Sequence, residues 1–236
     1  MLFLLPPSET KSSGGGALSI DQVALTFGGL NQAREAALEA LGDTSLLSAP
    51  TMRALDRYTG TLYSALHGRG LKGSPTANNT LTPDEIKRAK STVLIQSALF
   101  GLIPSTDLIP EYKVSPTRNL NGLNLKKLWS EAHLAIWPRL TGGLIIDLRS
   151  KAYAELAPIP DNIEHFTATV EVEYEDGSRA TLNHFNKKAK GQLVRSALTA
   201  KQPPETLADL KRCARRAGLK IEVSGSQLTI VTREAT

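Results

Sequence analysis

The sequence predicts an α+β fold: a compact single domain over 1–236, with a mixed sheet, surrounding helices and a helix-hairpin-helix-like element. Three observations predict it. Apolar runs at 1–5 and 144–148 have the length and composition of buried strands. Residues 166–174 alternate apolar and polar, the period of a half-buried strand. Helical segments fall between these runs without a regular strand–helix–strand rhythm, which favours α+β over a doubly wound sheet. The 236 residues, 41% hydrophobic and 22% charged, suffice to bury a core without a partner.

Residues 1–5 form the first strand, ended by Pro6-Pro7. A loop of turn formers follows over 6–16. Its glycines let backbone N–H groups approach an anion, but it lacks the closing Gly-Lys-Ser/Thr and the helix of a P-loop. Lys11, just outside the strand end, is a ligand-binding candidate. QAREAALEAL at 32–41 is a helix by propensity. Residues 51–63 are mixed and put Arg57 and Tyr58 side by side. A Gly/Pro/Asn linker spans 68–79. Thr82 then caps a helix, with Pro83 at its first position and Glu85 completing a capping box, that runs to about Ser91.

Residues 93–99 suit strand or helix. With Gly101, Pro104 and a capping Ser105 or Thr106 behind them, they outline a helix-hairpin-helix, whose N–H groups would hold a backbone phosphate; a buried helical corner is the alternative. A polar loop at 113–124 carries Lys113 and Arg118, and a helix over 125–140 has Trp129 and Ile136 on its apolar side. The strand at 144–148 includes Asp147 and leads into Arg149, Ser150, Lys151 and Tyr153; polar groups at a buried strand end are a common place for sites.

In the next strand Val170, Val172 and Tyr174 take one face, and Glu171, Glu173 and Glu175 the other. Asp176-Gly177 turns the chain, and 179–185 returns as a strand. The glutamates read as a solvated face, because one carboxylate stripe without His or Asp partners is a poor ligand set. A helix at 207–217 and a hairpin at 219–231 close the chain.

The formal net charge of +5, from 28 Lys+Arg against 23 Asp+Glu, favours polyanionic partners. A lone cysteine, Cys213, allows neither an intramolecular disulfide nor a thiolate zinc cluster, and suits a reducing cytosol. Its neighbours Arg212, Arg215 and Arg216 could activate the thiol toward peroxide; burial in the core is the plainer reading. The histidines are scattered, so no metal set and no cofactor are expected. The apolar start falls far short of the ~20 residues of a membrane span, so a cytoplasmic location is expected.

The most informative stretch is HFNKKAKGQLVR at 184–195. With Asn186 as a cap, the first helical turn is crowded with Lys187, Lys188 and Lys190, against the helix dipole at a cost of about 0.3–1 kcal/mol per exposed charge. A bound phosphate would reverse that cost. Wound at about 100° per residue, Ala189, Leu193, Val194 and Ala197 form the apolar face. Lys188, Gly191 and Arg195 lie nearly opposite, where Gly191 would admit a nucleic-acid strand. Lys190 falls on the apolar side. It either snorkels to the rim or lines a cleft, where desolvation makes it a candidate nucleophile or phosphate ligand.

Five blocks, PPSETKS, DRYTGTLYSAL at 56–66, SALFGLIPSTDLIPEYKVSP at 97–116, LIIDLRSKAY at 144–153 and HFNKKAKGQLVRSAL at 184–198, resemble in order and spacing those of the YaaA peroxide-stress family. The first departs from the Ser-Pro-Ala-Lys-Thr form associated with that family. The resemblance implies an α+β fold with a positively charged cleft and a helix-hairpin-helix-like element. It also implies DNA binding and protection from hydrogen peroxide by limiting free intracellular iron. Carried over by motif, the cleft residues are Lys11, Arg57, Tyr58, Lys113, Arg149, Lys151, Lys187, Lys188, Lys190 and Arg195.

Two functions follow. The first is a DNA-binding stress protein that reads backbone and shape through Lys11, Arg57, Lys113, Arg149, Lys151, Lys187, Lys188 and Arg195. The second is an enzyme acting on a nucleotide, nucleoside or damaged base. In it Lys190 is the reactive amine, Asp147 its acid/base partner and Tyr58 a stacking or proton-donating group.

Overall fold

The computed structural model describes residues 1–68, 81–181 and 183–233, with the side chains of Asn183 and His184 left aside. The linker expected at 68–79 lies, apart from Gly68, outside them. The strands are β1 (Leu2–Leu5), β2 (Thr51–Arg53), β3 (Val93–Ser97), β4 (Gly101–Pro104), β5 (Leu108–Pro110), β6 (Ile145–Asp147), β7 (His165–Glu173), β8 (Arg179–Ala180), β9 (Lys220–Ser224) and β10 (Gln227–Arg233). The helices are α1 (Asn31–Leu41), α2 (Ala54–Arg57), α3 (Thr61–His67), α4 (Pro83–Thr92), α5 (Leu125–His133), α6 (Lys151–Ala154), α7 (Asn183–Leu198) and α8 (Leu207–Arg216).

The expected α+β class holds. One mixed sheet runs in the order β4-β3-β1-β6-β7-β10-β9, with β8 paired to β7, and β2 and β5 form a separate ribbon. Its middle is parallel: β1 pairs parallel with β3 and β6, β6 with β7, and β7 with β10. The antiparallel strands β4 and β9 cap its two edges. Strands β3 and β6 are buried throughout, as is β1 apart from Leu2, which is why they read as continuous apolar runs. From β1 the chain goes first to β3 on one side and later to β6 on the other. The strand order therefore reverses at β1, and the carboxyl edge there is where open parallel sheets hold ligands.

Local chemistry explains most boundaries. Helix α4 starts on the expected Thr82–Glu85 capping box with Pro83 in its first turn. Helix α5 stops at His133, short of 140, and a separate 3₁₀ turn covers Trp137–Leu140, because Pro138 has no N–H to continue an α-helix.

Two expectations are corrected. Residues 93–104 form a β-hairpin in place of a helix-hairpin-helix. Val93, Leu94 and Ile95 pair with β1, and Gly101 turns the chain at φ +66°, where a Cβ would lie 2.7 Å from the Trp129 ring. Helix α7 begins at Asn183, three residues before the expected cap, after a return strand β8 of only two residues. Lys187 and Lys188 therefore stand beyond the first turn, and the expected clash with the helix dipole is relieved without an anion.

Candidate functional site at the carboxyl edge of the central strands

The loop after β1 folds back over the sheet edge. Lys11 bridges to Tyr58, and Ser12 N–H donates to the Arg57 carbonyl at 2.8 Å. Arg57 is fully buried beneath this loop. Its Nε donates to the Ile109 carbonyl at 3.2 Å, Nη2 to Pro50 at 2.9 Å and Nη1 to Ser12, so it ties the loop to the β2/β5 ribbon and its neighbours. Lys11 Nζ donates to the carbonyls of Ser8 and Glu9 at 3.2 and 3.3 Å. It lies over the Tyr112 ring, 4.4 Å from its centre. Burial lowers the Lys11 pKa to about 8, with Glu111 acting in the opposite sense.

Below Lys11 lies a tyrosine cluster. Tyr58 Oη is 2.6 Å from Tyr112 Oη, which is 2.7 Å from Ser97 Oγ at the end of β3. Tyr63 packs its ring 5.4 Å from that of Tyr58 and donates its hydroxyl to the Pro6 carbonyl at 2.8 Å. Burial holds these phenols neutral: Tyr112 is pushed up to about 12, and Tyr58, Tyr63 and Tyr153 also lie above their ordinary range. The neighbouring Tyr112 adds to the shift of Tyr153, which belongs to the same environment.

The cluster continues to the end of β6. Arg149 forks onto Asp147, with Nε to Oδ1 at 2.9 Å and Nη2 to Oδ2 at 2.7 Å. Both residues are buried. Arg149 Nη1 donates to the Ala157 carbonyl at 2.9 Å and faces Gln96 Oε1 at 3.4 Å, and the guanidinium lies over the Trp137 ring. Lys190, only 6% exposed, reaches in from α7 and donates to the Leu148 carbonyl at 3.0 Å. Desolvation lowers its pKa to about 8, against the pull of Asp147. Of the two alternatives for Lys190, the structure takes the interior one.

Lys11, Arg57, Tyr58, Asp147, Arg149 and Lys190 thus gather in and around one buried polar cluster. Lys113 and Lys151, exposed, adjoin it through their neighbours Tyr112 and Arg149, and Lys187 is exposed one turn before Lys190. Lys188 is half-buried, and Arg195 donates to the Leu66 carbonyl at 3.1 Å, away from the sheet edge. Gly191 does not open a path for nucleic acid. A Cβ there would meet the Leu62 carbonyl oxygen at 2.1 Å, so the glycine packs α7 on α3.

Sequence reasoning missed Ser97, Gln96, Tyr112 and Trp137. The first three lay within or beside the quoted blocks, and a hydroxyl, an amide and a phenol at strand ends were the available signal. The glutamate stripe is a solvated face, with Arg179 bridging Glu171, Glu173 and Glu222. No group of three or more His, Cys, Asp or Glu among the described residues is placed to hold a metal ion. No helix among them is long and apolar enough to cross a membrane.

These features define an α+β protein whose cationic and phenolic groups converge inside the fold, at the carboxyl edge of a parallel block. The chain belongs to the peroxide stress protein YaaA family, whose model matches residues 1–224. It is similar to the UPF0246 protein CE1889 of Corynebacterium efficiens, at 35% identity over 98% of this chain and 99% of that one. It is 34% identical to the UPF0246 protein Cgl1995/cg2186 of Corynebacterium glutamicum, over 94% of this chain and 95% of that one. It is also 34% identical to the UPF0246 protein SCO2297 of Streptomyces coelicolor, over 94% and 92%.

Proposed function

We propose that the chain is a cytoplasmic DNA-binding protein of the peroxide stress response. It holds DNA by its phosphates and protects it by shielding it or by limiting free intracellular iron. The observation that carries this reading is the distribution of charge. Exposed Lys113, Lys151 and Lys187 adjoin a site whose interior adds Lys11, Arg149 and Lys190, against the carboxylates of Glu9, Glu111 and Asp147. Such a field attracts a polyanion and releases its counterions, without any need to read bases. The test is retention of labelled duplex, single-stranded and junction DNA by the purified protein, with free nucleotides as competitors. DNA retained under excess nucleotide supports the reading; no retention of any form removes it.

A second reading is favoured by a different observation. The functional side chains of the quoted blocks point into the fold, and a clamp on duplex backbone does not require buried lysines and phenols. An enzyme acting on a nucleotide, nucleoside or damaged base does. In this reading Lys190 is the amine and Tyr58 a proton-donating or stacking group. Asp147, with both carboxylate oxygens held by Arg149, serves to fix the site more than to move protons. Displacement of DNA by micromolar nucleotide would favour this reading over the first.

A further inference from the structure

Three hydroxyls meet beyond the end of β3, and their protons can be placed. Ser97 Oγ accepts the backbone N–H groups of Leu99 and Phe100 at 3.1 and 3.0 Å. A serine hydroxyl has two lone pairs and one proton. Both lone pairs are engaged, so the 2.7 Å contact with Tyr112 Oη carries the serine proton outward. Tyr112 accepts it and passes its own proton to Tyr58 Oη, 2.6 Å away. Tyr58 is therefore the last hydroxyl of a polarised chain. It accepts from Tyr112, and its own proton meets no acceptor among the described residues. Tyr58 is 1% exposed, so bulk water does not supply one. A buried donor left unmatched costs about 1–3 kcal/mol, and such a group calls for an explanation.

A second donor is left over beside it. Lys11 Nζ gives two of its three protons to the carbonyls of Ser8 and Glu9. The ammonium stands 4.4 Å from the Tyr112 ring centre and 5.7 Å from that of Tyr58, and its third N–H has no acceptor among the described residues. The same loop that carries Lys11 is bridged to Tyr58 through the backbone. One neutral donor and one cationic donor, in one site and with no capacity to accept, match a ligand oxygen that is anionic and offers several lone pairs.

We infer that Tyr58 Oη and Lys11 Nζ form an oxyanion subsite that takes the phosphate monoester of a small nucleotide, in a proton order set by Ser97 and Tyr112. The inference rests on the second functional reading and adds to it which group of the ligand is held, and by what. Hydrogen bonds along such a chain strengthen one another, so Tyr58 donates better than an isolated phenol. Free phosphate shares the chemistry, and the test separates it from a nucleotide.

The experiment is calorimetric titration of deoxyadenosine 5′-monophosphate, deoxyadenosine and inorganic phosphate into the wild type, Tyr58→Phe and Lys11→Gln, with melting temperatures recorded for each. The expected result is that the nucleotide binds about ten-fold or more weakly to Tyr58→Phe, as for loss of a hydrogen bond to a charged group. Lys11→Gln weakens it too, deoxyadenosine binds both variants as it binds the wild type, and inorganic phosphate competes with the nucleotide. Competition by phosphate with no gain from the nucleoside portion would assign the subsite to free phosphate. If Tyr58→Phe does not fold, Lys11→Gln, altered at the half-exposed loop, carries the same prediction. Equal binding of the nucleotide to wild type and variants overturns the subsite. If deoxyadenosine still binds in that case, the nucleotide-site reading survives alone; if neither compound binds the wild type, both fall.

Discussion

A Cβ on Gly191 would lie 2.1 Å from the carbonyl oxygen of Leu62 and 2.9 Å from Cβ of Ala65. The absence of that atom lets α7 rest directly on α3. It also fixes the neighbours of both residues: Lys190 beside Leu148, and Tyr63 against Pro6. Gly191→Ala should therefore destabilise the fold by about 1–3 kcal/mol, the range for overpacking a core contact. Urea denaturation measures it, and a variant as stable as the wild type would mean the helices can move apart freely.

The Asp147–Arg149 pair is buried on both sides. Removing one partner leaves an uncompensated charge, and Asp147→Ala should cost about 3–5 kcal/mol. Pairing it with Arg149→Met should recover part of that loss, because two buried charges are then gone. A double variant weaker than the sum of the single ones contradicts this account of the pair.

Burial lowers Lys190 from 10.5 to about 8, with Asp147 opposing the shift. Below pH 8 the amine is protonated in the folded and unfolded chain alike, and its desolvation penalty is fully present. Between pH 8 and 10.5 the unfolded chain keeps a proton that the folded chain has released, so this group's contribution to stability rises with pH. Lys11 acts in the same direction. Above pH 10 the buried tyrosines, neutral in the fold and ionised outside it, reverse the trend. Stability measured at pH 7.5, 9 and 10 in the wild type and Lys190→Met should show the variant gaining on the wild type at pH 7.5, by about 2 kcal/mol. The gap should close by pH 10, and a gap that is constant with pH counts against the shift.

Cys213 lies buried on α8, and desolvation raises its thiol despite Arg216 and Arg212. It should react with hydrogen peroxide no faster than free cysteine at pH 7. Dimedone labelling followed by mass spectrometry reads this directly, and rapid labelling would restore the alternative of a peroxide-reactive thiol.

Much of the fold was legible because local signals agreed with it. The apolar runs at β1 and β6 and the capping box of α4 dictate elements whatever surrounds them. The hairpin at 93–104 was ambiguous because its Val, Leu and Ile residues suit a buried strand or a buried helix, and only pairing with β1 decides. The site was legible as residues and opaque as geometry. Lys190 stood out through its place on the apolar side of α7. Nothing local told that Arg57 and Arg34 would be buried under backbone carbonyls, or that Ser97 and Tyr112, fifteen residues apart, would share a hydrogen bond.

The central claim is that the cations around this edge hold a polyanion, and fluorescence anisotropy of a labelled duplex across a salt series tests it most directly. The wild type should lose affinity with a log–log slope of roughly −0.9 per phosphate neutralised. Charge reversal at Lys113, Lys151 and Lys187 should weaken binding equally for unrelated sequences and reduce that slope by about one per contact removed. Affinity that is flat with salt, or untouched by the reversals, would contradict it.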